Sequence, residues 1–69
     1  MNSPKEAIEA LGEAWQFAEI VQVYLGMNAE KHPFILVASK DVSDGMDYLR
    51  AAATMLETPG VQAALGDKP

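Results

Sequence analysis

The chain predicts an all-α fold: two long antiparallel helices in a hairpin, a short C-terminal helical turn, and a homodimeric four-helix arrangement of two hairpins. Three observations carry this. Two long stretches repeat apolar residues at three- and four-residue steps. Prolines stand where helices begin, at Pro4, Pro33 and Pro59. The single β-prone run, Phe34 to Ala38, has no second strand in the chain to pair with.

The first helix is expected over about 4–28. Ser3 caps it, Pro4 takes the first helical position, and Glu6 completes a capping-box signature. Its apolar stripe runs Ala7, Ile8, Leu11, Ala14, Trp15, Ala18, Val21 and Leu25, with Gln22 as the exception. Leu11, Ala18 and Leu25 form the centre, flanked by Trp15 and Val21. Gly26 and Asn28 weaken its end, and His32-Pro33 marks the break.

The second helix is expected over about 33–57, on the series Phe34, Ala38, Val42, Met46, Leu49, Ala53 and Leu56. Ser43-Asp44-Gly45 leaves a bend near 43–45 open. Thr58 then caps a short helix over about 59–65, whose Val61 and Leu65 are spaced to fold back on the hairpin. The whole chain, 1–69, reads as one helical domain.

Five basic against ten acidic side chains give a net charge of −5. That balance opposes binding to nucleic-acid phosphates and to anionic membranes. It suits solubility or a basic protein partner. The chain has no cysteine, which excludes disulfides and thiolate metal sites. The opening Met1 to Glu6 lacks a basic region followed by an apolar run, so a cytoplasmic location is expected.

Catalysis finds few groups. His32 is the one histidine and lies in a turn; the glycines at 12, 26, 45, 60 and 66 form no phosphate loop. The run Asp41 to Asp47 carries three aspartates, but its glycine has the wrong offset for a calcium loop and position twelve is Ala52. No enzyme, cofactor or metal is expected. Glu6, Glu9 and Glu13 are explained by the dipole of the first helix.

The informative feature is surplus apolar surface. From Phe17 to Met27 only Glu19, Gln22 and Gly26 interrupt the apolar residues, so this half of the helix is hydrophobic nearly all round. A hairpin covers one side only. Three coverings are open: the C-terminal turns Val61 to Leu65, a second copy, or a foreign partner. Self-association is the expectation, through Phe17, Ile20, Val23, Tyr24 and Met27. A partner-binding set is expected at Asp41, Asp44, Asp47, Tyr48 and Arg50. A structural dimerisation module and an acidic DNA mimic stand as alternatives to a protein-binding inhibitor.

The pattern resembles small phage-encoded inhibitors, in particular the anti-quorum-sensing anti-activators. The resemblance spans the chain in size and architecture. It rests on Ser3-Pro4-Lys5-Glu6 opening a long helix, the His32-Pro33 turn, and a second helix closing at Thr58-Pro59-Gly60. It implies a homodimer in the bacterial host cytoplasm that binds a LuxR-type transcription regulator and blocks its DNA binding. It also implies inhibition of the type IV pilus assembly ATPase.

Overall fold

Helix α1 (Pro4–Met27) begins where its sequence provides a cap. Ser3 is extended, and its Oγ accepts the Glu6 N–H at 3.3 Å. At the other end the Asn28 side-chain amide donates to the Tyr24 carbonyl at 2.8 Å, satisfying one of the helix's orphan acceptors. A 3₁₀ turn (Ala29–Lys31) leads to helix α2 (Pro33–Leu56) and then helix α3 (Pro59–Ala64). The protein is seen in a computed structural model that describes residues 3–66.

Two capping details differ from the sequence reading. His32 is the N-cap of α2: its Nδ1 accepts the Phe34 N–H at 3.1 Å. The imidazole thus serves the helix start rather than standing free in a turn. Thr58 is the extended N-cap residue of α3, as expected, but its side chain makes no capping hydrogen bond. Its hydroxyl donates backwards to the Met55 carbonyl at 2.8 Å, closing α2 instead. Helix α2 continues uninterrupted through Ser43-Asp44-Gly45. Gly66, at φ +74°, ends α3 in the left-handed conformation that glycine adopts without penalty.

The two long helices pack side by side through alternating three- and four-residue steps. On α1 the seam takes the half-buried Ile8, Leu11, Trp15, Ala18, Gln22 and Leu25, with Ala7 and Ala10 half-buried beside it. On α2 they are Ile35, Ala38, Val42, Gly45, Leu49, Ala52 and Leu56, joined by Ser39, Met46 and Ala53. Two expectations are corrected here. Ile35, not Phe34, opens the α2 seam, and Phe34 is 74% exposed. Gln22, not Val21, completes the α1 seam, because Ser39 Oγ donates to its Oε1 at 2.8 Å. A part-buried polar pair costs little when each member finds the other, and it favours one register over its neighbours.

This seam is the whole interior. Among the described residues no hydrophobic side chain of a core is buried. The molecule measures 50 × 15 × 12 Å with a radius of gyration of 15.5 Å, against about 11 Å for a compact domain of this length. A two-helix plate of this kind leaves most apolar surface wet, and domains this small are marginal even when compact.

Gly12 sits on exposed helix, and a Cβ added there meets nothing within 4 Å. Gly12→Ala is therefore expected to stabilise the protein by about 0.5–1 kcal/mol through backbone entropy alone. A higher denaturant midpoint at unchanged slope checks it.

Candidate protein-binding surface

Successive residues turn by about 100° around a helix. Because α1 and α2 run antiparallel, positions displaced from their seams in the same rotational sense fall on the same flank of the hairpin. The Gln22–Ser39 bond sets the level. Five residues back along α1 corresponds to five forward along α2, so Phe17 stands level with Asp44, and Tyr24 with Val37. The two flanks that result differ sharply in chemistry.

The first flank is mixed. The Arg50 guanidinium lies 5.1 Å from the centroid of the Trp15 ring, a cation–π contact worth about 0.5–1 kcal/mol at an exposed site. Together with Gly12, Gln16 and Glu19 it rims a groove of ≈ 410 Å³ whose apolar floor is Ile8, Leu11, Trp15, Leu49 and Ala53. Ser43, Asp47 and Thr54 lie beyond Arg50 on the same side and are exposed.

The opposite flank is apolar. Helix α1 contributes Phe17, Val21 and Tyr24, and α2 contributes Phe34, Val37, Tyr48 and Met55, all between 44% and 75% exposed. Ala10 and Ala14 extend the α1 row, and Ala52 joins the α2 row. An aromatic side chain carries roughly 150–250 Å², so at these exposures the flank presents on the order of 700 Å² of apolar surface. Monomeric proteins seldom show a largest patch above about 300–600 Å². Asp41 stands within the α2 row, and Asp44, about 20° round the helix from Val37, stands at its outer edge with Lys40 paired to it at 3.1 Å. Asp41 is exposed and is the acid of the row without a cation among the described residues.

The residues expected to hold the dimer do not share one flank. Phe17 and Tyr24 belong to the apolar flank, Ile20 and Met27 to the back of α1, and Val23 to the mixed flank. All five are between 60% and 79% exposed. The expected partner-binding set is also divided. Asp41 and Tyr48 lie on the apolar flank. Asp44 lies at the outer edge of that flank, where Lys40 pairs with it at 3.1 Å. Asp47 and Arg50 turn toward the mixed flank. Val21, Phe34, Val37 and Met55 are members of the apolar flank that sequence reasoning missed. The available signal was a second heptad-like series offset from the seam: Ala10, Ala14, Phe17, Val21, Tyr24 on α1, and Phe34, Val37, Asp41, Tyr48, Met55 on α2.

Helix α3 does not cover this surface. It follows the C-terminus of α2, at the end of the hairpin remote from the turn, and its own Leu65 is 56% exposed. The Val61-to-Leu65 covering is therefore not the one adopted.

Among the described residues no group of three histidines, cysteines or acidic residues is placed to hold a metal ion. No described helix is long and apolar enough to cross a membrane. No protein-family model, curated protein or solved structure matches the chain.

Proposed function

We propose that this protein is a small non-enzymatic inhibitor that works as a homodimer, binding a host LuxR-type quorum-sensing regulator and blocking its DNA binding. The pilus assembly ATPase is a second target of the same reading, and a phage gene expressed in the bacterial cytoplasm is its source. The observation that carries association is the apolar flank of the hairpin, too large for a lone chain to leave in water. The target rests on the resemblance in size and helical-hairpin layout.

In this mechanism the apolar flank is spent on the second copy. Asp44, Asp47, Arg50 and the groove over Trp15 stay outside and meet the partner. The protein carries a net charge of −5, which steers it toward a basic, DNA-reading surface and away from the DNA itself. Occupying that surface excludes the operator.

A gel-shift titration tests it. Adding the protein to a LuxR-type regulator on its operator should abolish the shifted band at a stoichiometry near one dimer per regulator dimer. A regulator–DNA complex that persists at saturating protein rejects this target. Self-association without any regulator binding would favour a structural dimerisation module.

A further inference from the structure

The apolar flank has an internal symmetry that specifies how a second copy sits on it. On α2 the row is Phe34, Val37, Asp41, Tyr48, Ala52 and Met55. Read inward from both ends it pairs Phe34 with Met55, Val37 with Ala52, and Asp41 with Tyr48, about a midpoint at Asp44-Gly45. On α1 the row Ala10, Ala14, Phe17, Val21, Tyr24 pairs Ala10 with Tyr24 and Ala14 with Val21, about Phe17. The Gln22–Ser39 bond puts these two midpoints within about one residue rise of each other across the hairpin. One two-fold axis, perpendicular to the helices, therefore serves both rows.

We infer that two hairpins stack by this flank in antiparallel fashion, α1 over α1 and α2 over α2, with Phe17 and the Asp44-Gly45 step level with the two-fold axis. This rests on the dimer reading above and adds its geometry. The pairings match in size and chemistry. Large side chains meet small ones along α1, a methionine sulfur meets an aromatic ring at Phe34–Met55, and each Asp41 carboxylate meets the partner's tyrosine hydroxyl at 48. That last pairing gives a hydrogen-bond donor to Asp41, which otherwise would be covered without a partner.

Charge favours the same choice. A parallel stack would set the acidic starts of both α1 helices, with Glu6, Glu9 and Glu13, at one end of the bundle. The antiparallel stack sends them to opposite ends of the bundle, which lessens their mutual repulsion. The area is sufficient. About 700 Å² from each side approaches the roughly 800 Å² per partner of a standard stable interface.

The native chain has no cysteine, so disulfide trapping reads the geometry directly. Phe17→Cys should couple to itself under mild oxidation at least tenfold faster than Ser43→Cys, which faces the mixed flank. A parallel stack instead opposes Phe17 with Asp44. In that case Phe17→Cys couples only when mixed with Asp44→Cys, and the inference is overturned while the dimer stands. A second measurement does not depend on the cysteine variants folding. Tyr48→Phe should weaken dimerisation about tenfold in the wild-type background and not at all in an Asp41→Leu background. Equal weakening in both backgrounds overturns the Asp41–Tyr48 pairing. Sedimentation of the unmodified chain separates the two levels: a monomer rejects the dimer itself, whereas a dimer without these signatures rejects only the antiparallel geometry.

Discussion

Phe17→Asp is expected to dissociate the dimer and with it most of the helical structure. Phe17 is 67% exposed in the single hairpin, so the substitution costs an isolated chain almost nothing. In the proposed dimer it stands at the two-fold axis, where two new carboxylates would face each other away from water. An unpaired buried charge costs about 3–5 kcal/mol, and the symmetry applies it twice. Since no hydrophobic side chain of a core is buried within the described residues of one hairpin, little remains to hold the monomer. Far-UV circular dichroism at micromolar concentration should show the loss of helix. Glu30, also exposed but in the turn away from the flank, provides the control: Glu30→Asp should leave the spectrum unchanged.

Trp15→Ala is expected to have the second-largest effect, and through a different route. Trp15 fills the seam between Leu11 and Ala18 and supports Arg50 at 5.1 Å. Truncating a fully buried tryptophan costs about 3–5 kcal/mol. Trp15 is only half-buried, so about 2 kcal/mol is the reasonable scale. The loss acts on the hairpin itself. Chemical denaturation should therefore show a lowered midpoint at protein concentrations where the dimer is saturated. Arg50→Gln should reproduce only the cation–π share, about 0.5–1 kcal/mol. If Arg50→Gln costs as much as Trp15→Ala, the seam role assigned to the ring is wrong.

The helical class was legible because the punctuation is strong. Ser3-Pro4 and His32-Pro33 each set an extended residue before a proline at the first helical position, and both helices begin there. The seam was legible only in part. Reading α2 by repeated steps of four, from Phe34 through Ala38 and Val42 to Met46, drifts about 40° per step around the helix. The real seam alternates three and four, so Ile35 takes the place given to Phe34. Gln22 was passed over for its polarity, yet Ser39 makes it an acceptable seam residue. That pairing depends on the register between helices, which local patterns do not contain. His32 gives a similar lesson. Histidine is not a preferred N-cap, and only the extended backbone before Pro33 brings its Nδ1 to the Phe34 N–H.

The surface was the least legible part. Surplus apolar character after Phe17 was plain from composition along α1. Its assignment to flanks was not, because it required the antiparallel pairing and the level set by Gln22 and Ser39. Once these are known, Phe17 and Tyr24 join Phe34, Val37, Tyr48 and Met55, whereas Ile20, Val23 and Met27 point elsewhere. Arg50 likewise leaves the aspartates with which its sequence position grouped it and settles over Trp15.

Sedimentation equilibrium of the unmodified chain, combined with melting at several concentrations, tests the central claim most directly. The account predicts a species of twice the 7.4 kDa chain mass, and a melting temperature that rises with protein concentration because folding and association are linked. A 7.4 kDa monomer that melts at one temperature across a hundredfold dilution would contradict it.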